Sequence, residues 1–420
     1  MPDLRRSGSL TLLYLMRAAD ALASTTATYA IPLLVLITTG STALTGIAFL
    51  LEWTPRLAAF TFAGALADRF GAARAFRITN FARAILVALA AALLTALPSA
   101  GAATTTVVLV FGAVSGLLAE VSFVAVETLA AEAGRRLDVE VHRLQAAQTG
   151  IDQGAVLVGP LLGGLLLLAG PSVLLAVVAL LAMTAAAATQ DDSVPEEGHR
   201  APSSLVTGWR TLRRTPALAW LIGGLAASNL ASGVLQAAAP ITVIHRFHYS
   251  TADVGAVWSA AAVASLLTVI AARRAIDRWS VWPIGAVSAA VSTAACLGVA
   301  LAPGFPAYTA AVAVLMAAEG ALTVVLRTLR ARLIPPTAFG STLAVTIILV
   351  LLPLPVAGAL VAAVPATGLP HLLLACALLQ GLVLAACFAG LRRHRTACEA
   401  PPPQVLAAHR TDAVQPADAS

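Results

Sequence analysis

The sequence predicts an all-α polytopic membrane protein: twelve transmembrane helices in two pseudo-symmetric six-helix bundles. Three observations carry this. Of 420 residues, 59% are hydrophobic and 11% charged, whereas a water-soluble domain carries about a quarter charged residues. Apolar runs recur along the chain, and about twenty residues at ~1.5 Å each cross a ~30 Å hydrocarbon layer. Short segments of the first half also return in the second at offsets of about two hundred residues.

Taken in order, the spans read as 10–38, 43–67, 76–97, 105–131, 145–169 and 172–189, then 217–244, 252–272, 281–302, 306–326, 341–364 and 369–391. Between the sixth and seventh lies "QDDSVPEEGHRAPSSLVTGWRTLRR", the longest polar stretch before the tail. The chain therefore divides into a bundle over 1–190, a linker over 191–215, a second bundle over 216–395 and a disordered tail over 396–420. Within the linker, Leu205–Arg214 has the pattern of an amphipathic surface helix. Arginines such as Arg5, Arg6, Arg69, Arg74, Arg213, Arg214, Arg278 and Arg393 gather at span ends on one side, against Arg246 on the other. The positive-inside rule then places both termini and the linker in the cytoplasm of a multi-pass bacterial inner-membrane protein.

The repeat supports the division. "AADALAS" at 18–24 and "AASNLAS" at 226–232 agree at five of seven positions, and "DRFG" at 68–71 returns as "DRWS" at 277–280. "GPLLGG" at 159–164 has an echo in "LPVAGA" at 354–359, and "ETL" at 127–129 in "RTL" at 327–329. Two related bundles imply a substrate site between them near the membrane midplane.

Other classes find little support. The basic residues are spread over short loops rather than gathered into one patch, so nucleic acid is not an expected partner. Cys296, Cys376, Cys387 and Cys398 lack metal-ligand spacing, and His142, His245, His248 and His371 scatter across loops or span ends. No nucleophile motif stands out. The chain is not expected to be an enzyme, and neither a cofactor nor a metal is expected.

Acids at bilayer depth are costly and need a partner, water or a proton. Asp20 and Arg56 count to similar depths in the first two spans, which predicts that they meet. Glu52 stands four residues from Arg56, an i,i+4 spacing that also permits a pair. Two acids sharing one arginine leave one carboxyl able to take and release a proton; the alternative is a fixed ion pair. Ser228 replaces Asp20 in the repeat, so the charge belongs to one half, which favours the first reading. Glu120 and Glu319 lie mid-span in the equivalent fourth and tenth helices, as protonatable or substrate-facing acids or as buried neutral ones. Glu127 and Asp152 are expected to pair with Arg83 or loop arginines, and Arg17 to snorkel or pair with Asp20. Asn229, Gln236 and Trp53 are candidates for contact with a substrate, or for helix packing.

Twelve spans, the six-plus-six repeat and "GALADRFGAAR" at 64–74 together resemble the major facilitator superfamily over nearly the whole chain. Gly64, Asp68, Arg69, Gly71 and Arg74 match that family's loop motif after the second span, while Ala72 and Ala73 depart from it. Gly159, Pro160, Gly163 and Gly164 match a fifth-span motif that the resemblance associates with proton-driven exporters. The first two spans are similar to the macrolide and siderophore drug-exporter branch. The resemblance implies a monomeric antiporter working by alternating access, with the proton as coupling ion and membrane lipids around it. Its substrate would be a drug-like, antibiotic or secondary-metabolite small molecule. It also implies that Asp68 faces the start of the eleventh span as a gate. The alternative on the same fold is an importer or a lipid flippase.

Overall fold

A computed structural model of the chain describes residues 2–97, 101–136, 141–189, 205–334 and 339–395. Among these residues the chain is helical and forms no strand. The first six helices are α1 (Pro2–Thr39), α2 (Thr42–Phe70), α3 (Ala72–Ala96), α4 (Ala102–Arg136), α5 (Val141–Ala169) and α6 (Pro171–Ala187). After α7 (Leu205–Arg214) come α8 (Pro216–Ile241), α9 (Thr251–Trp279), α10 (Val281–Ala300) and α11 (Phe305–Leu333). The series closes with α12 (Phe339–Leu351), α13 (Pro353–Ala363) and α14 (Leu369–Arg393).

Ten segments among the described residues are long and apolar enough to cross a membrane, one of them Ser341–Ala363, which joins α12 and α13. Helix α6 is apolar but 17 residues long. Helix α2 completes the twelve; Glu52, Pro55 and Arg56 at its middle lower its apolarity. The eleventh span departs from its expected single helix because Pro353 and Pro355 lack the N–H groups that would carry the ladder through. Leu205–Arg214 is helical as its pattern predicts, and it lies against α12. A Cβ on Gly208 would strike the Ser341 backbone and come within 2.9 Å of Val345. Linker residues 190–204 and the tail from 396 lie outside the described residues.

Local chemistry sets the helix ends. Gly40, Gly71 and Gly170 stand between helices at φ values of +64°, +81° and +125°, backbone that costs glycine little. Ser250 caps α9 in a reciprocal box: its hydroxyl accepts from Asp253 N–H, and Asp253 accepts from Ser250 N–H at 2.9 Å.

Packing repeats between the halves. Helix α2 packs on α4 as α9 does on α11, and α3 on α6 as α10 does on α14. The bundles meet along two related seams, α5 on α9 and α2 on α13. We call the side holding the chain start, α7 and the end of α14 the terminal face, and the other the far face.

Both seams are tight in their far halves. A Cβ on Gly164 would meet Ala252 Cα at 3.1 Å, and one on Gly358 would meet Leu50 Cα at 3.0 Å. Thr251 donates its hydroxyl to Gly164 O at 2.9 Å, and Ser259 to Leu157 O at 2.6 Å. In the terminal halves, a Cβ on Gly64, Gly150 or Gly154 would meet nothing within 4 Å. The cores agree. One apolar core runs through both bundles in their far halves, from Leu34 and Phe49 to Val257 and Val361. Nearer the terminal face, each bundle has its own core. The molecule is closed at the far face and parted at the terminal face.

Candidate functional site

Between the parted halves lies a cavity of about 550 Å³, lined from α1, α2, α4 and α5 on one side and α8, α9, α11, α12 and α13 on the other. Tyr29 and Trp258 bring their rings to 5.3 Å across the bundles and bound it towards the far face. Trp53, Phe123, Met316 and Leu354 make much of the wall apolar, while Arg17, Asp20, Arg56, Glu120 and Asp152 bring charge to it from the first bundle. Asn229 and Gln236 supply the second bundle's amides.

Asp20 meets Arg83 rather than Arg56. Its Oδ1 accepts from the Ser122 hydroxyl at 2.8 Å and lies 3.7 Å from Arg83 Nη1. Asn80 donates to Ser122 at 2.8 Å, and Arg83 to the Ser24 hydroxyl at 2.7 Å. Arg56 instead donates to Thr28 at 2.8 Å, with Glu52 Oε1 3.6 Å from its Nη1. Counting depth from helix ends treats those ends as level. Thr28 is two turns beyond Asp20 on α1, about 12 Å along the axis, so Arg56 meets a deeper part of that helix. The Glu52–Arg56 spacing does form an ion pair. Arg56 also stands 4.8 Å from the centre of the Trp53 ring.

Arg17 is buried and gathers Glu127 of α4 and Asp152 of α5. Its Nε and Nη2 reach the two Asp152 oxygens at 2.8 and 2.5 Å, and Nη2 reaches Glu127 at 3.0 Å. The expected pairings of these acids with Arg83 or loop arginines, and of Arg17 with Asp20, are thereby corrected. A guanidinium with five donors can satisfy both carboxylates and fasten α1 to α4 and α5.

Glu120 lines the cavity, and its Oε1 is buried without a hydrogen-bond partner among the described residues. Trp53 Nε1 is likewise unpartnered. Asn229 lines the cavity but commits its amide to Val350 O at 2.7 Å, at the break between α12 and α13. Glu319 stands apart from the cavity lining, inside the second bundle. Ser292 Oγ donates to it in a very short contact, and Gln380 Nε2 donates to it at 2.6 Å and reaches Ser292 at 2.7 Å. No cation pairs with Glu319 among the described residues.

The fifth-span motif divides its work. Gly159 and Gly163 face Thr25, Thr26 and Ala30 of α1, whereas Gly164 faces α9 across the seam, where Pro160 O packs against Gly255. In the loop motif, Gly71 makes the turn, whereas a Cβ on Gly64 would meet nothing within 4 Å in this state. Arg69 and Arg74 are exposed. The Asp68 side chain and residues 335–338 before α12 lie outside the described residues, so the expected gate contact does too.

Sequence reasoning missed Asn80, Ser122, Ser292 and Gln380, because hydroxyls and amides in apolar helices are common and none carries a spacing signature. Arg83, a buried arginine well inside α3, was the available signal for the partner of Asp20.

Two repeated helical bundles enclosing a part-charged cavity that one face leaves open define a membrane transporter. The family model for the Major Facilitator Superfamily matches residues 13–352, and the chain belongs to that family. No curated protein matches it significantly by sequence. Among solved structures it is similar to a bacterial homologue of the iron transporter ferroportin in an inward-facing state, at 15% identity and TM-score 0.69, covering 92% of this chain and 99% of that one. It is also similar to a bacterial homologue of the lysosomal transporter Spinster, inward-facing and occupied, at 14% identity, TM-score 0.70 and coverages of 94% and 99%. The nucleoside transporter NupG aligns at 10% identity and TM-score 0.72, with coverages of 91% and 98%. At these identities the likeness is one of fold.

Proposed function

We propose that this transporter exports a medium-sized, apolar or cationic organic compound in exchange for protons, by alternating exposure of the central cavity. The arginine asymmetry supports placing the terminal face in the cytoplasm of a bacterial inner membrane, so the cavity is open for loading from inside. The wall suits such a cargo. Tyr29 and Trp258 offer ring faces, while Arg56 and Arg17 already stand over Trp53 and Phe123, and aromatic faces attract organic cations. Glu120 supplies an acid with an unspent oxygen.

The observation that carries the coupling is Asp20 on the cavity wall, with Arg83 fully buried behind it. At 3.7 Å the charges attract without a hydrogen bond between them, and Ser122 and Ser24 hold each partner separately. A proton on Asp20 removes the attraction while both side chains keep their hydroxyl partners. Glu52 and Arg56 stand at a similar 3.6 Å, with Thr28 holding Arg56 and, among the described residues, no hydroxyl bonded to Glu52. Proton occupancy and cargo occupancy then bias the same wall, which is the reciprocal coupling an antiporter requires.

Proteoliposomes loaded with a pH gradient test the reading. Cargo found by a susceptibility screen should move against the gradient and release protons, and Asp20→Asn should abolish gradient-driven flux while preserving cargo binding. Gradient-driven flux at the wild-type rate in Asp20→Asn would remove Asp20 from the mechanism. Flux indifferent to pH in the wild type would remove the antiport.

A further inference from the structure

We propose that a groove on the outer surface of the second bundle, between α9, α10 and α11, binds an anionic phospholipid of the terminal-face leaflet. Its acyl chain lies in the groove and its phosphate on Arg274 and Arg278. The groove has a volume of about 600 Å³, and no charged residue lines it. Ala271, Ala275 and Trp279 of α9 form one wall, Ile284 and Val287 of α10 the other, and Ala321 of α11 the floor. Thr268 at its deep end spends its hydroxyl on Ala264 O at 2.8 Å. Such a slot accepts hydrocarbon and rejects a headgroup, which fixes the orientation of the lipid.

The mouth supplies the complement. Arg274 and Arg278 follow Ala271 and Ala275 by three residues each, so helical spacing sets both on the groove edge one turn apart. Both are exposed, and neither forms an ion pair among the described residues. Asp277 follows Arg274 by three residues and Arg273 by four, so it neighbours both, and the three exposed arginines 273, 274 and 278 outnumber it and leave this end of α9 net positive. The Arg278 guanidinium stands 5.7 Å from the centre of the Trp279 ring, and Trp279, 61% exposed, lines the groove. An aromatic ring paired with a cation suits the depth of lipid headgroups. Beside Trp279, α10 starts at Val281 with no side-chain cap on its first N–H groups, adding the positive end of a helix dipole where a phosphate would sit. Acyl slot, paired arginines and uncapped helix start converge on one ligand.

Native mass spectrometry of the full chain in detergent, with dioctanoyl phosphatidylglycerol or dioctanoyl phosphatidylcholine added, tests this. The wild type should retain the anionic lipid about fivefold more than the zwitterionic one, the scale that one or two interfacial arginines provide. Arg274→Gln/Arg278→Gln should bring that ratio to about one, and Arg274→Lys/Arg278→Lys should keep most of it. Ala275→Phe, which fills the slot, should reduce retention of both lipids. Equal retention of the two lipids by the wild type overturns the proposal. So does an unchanged ratio in the Gln variant, or equal competition by glycerol phosphate, which would mark a plain anion site. Should the double Gln variant not fold, Arg278→Gln and Ala275→Phe decide the matter, and unaltered retention in both overturns it.

Discussion

Ser280 ends α9 at φ 75° and ψ 169°, backbone that residues with a side chain rarely adopt. Its counterpart in the repeat, Gly71, ends α2 at φ 81° and ψ 138°. The two halves thus turn the corner after "DRFG" and "DRWS" alike, once with glycine and once with a strained serine. Such strain costs about 1–3 kcal/mol, and glycine returns up to about 1 kcal/mol through the freer unfolded chain. Ser280→Gly should therefore stabilise by about 1 kcal/mol, read as a higher thermal-unfolding midpoint in detergent, and Gly71→Ser should lower it. A midpoint unmoved by both would show that the turn carries no strain. The shared turn was legible in the repeat, because a tight corner needs particular residues at fixed places. The partner of Asp20 was not. Sequence gives the depth of a side chain along its own helix but not the rotation that selects Arg83 over Arg56.

At the scale of the helix, "GPLLGG" announced a close approach without saying to what. Gly159 and Gly163 serve the interior of the first bundle, and Gly164 serves the junction between bundles. Periodicity explains the division: 159 and 163 share a face, and 164 is rotated about 100° from 163. The spans were legible because hydrocarbon demands long apolar helices, yet the eleventh hid its break, since its prolines sit in an apolar run. Gly164→Leu would drive a branched side chain into the Thr251–Ala252 backbone. Overpacking of this kind costs about 1–3 kcal/mol, charged to the far-closed state alone. A cysteine at the cavity-lining Ser232, in a Cys398→Ser background where the three other cysteines are buried, reports the outcome. Labelling by a membrane-impermeant maleimide from the far face should rise about five- to hundredfold with Gly164→Leu, since 1.4 kcal/mol is a factor of ten. Labelling unchanged from that face would show that α5 and α9 do not form the seal.

For the whole molecule, the packing repeat and the two seams imply a rocking motion whose other end point can be located. The α5–α9 seam pairs Gly164 with Thr251 and Leu157 with Ser259, and along α5 the same stripe runs on through Gly154 and Gly150. Both have open space where a Cβ would be, as does Gly64 on α2. Small residues that contact nothing in one state are the natural partners of a close approach in the other. This also accounts for Gly64, idle here although it stands in the loop motif. When the terminal face closes, these glycines should become as crowded as Gly46, Gly164 and Gly358 are now. Gly154→Leu should therefore penalise the state that Gly164→Leu favours, and by a similar amount. In the same Ser232→Cys reporter, Gly154→Leu should leave labelling from the terminal face at or above the wild-type rate. Labelling from the far face should fall about five- to hundredfold, and transport should stop with cargo still binding from the terminal side. Combined in one chain, the two substitutions should largely offset each other in the labelling ratio, because each acts on a different end of one two-state equilibrium. If Gly154→Leu moved the ratio in the same direction as Gly164→Leu, or left transport intact, the bundles would not be rocking about this seam.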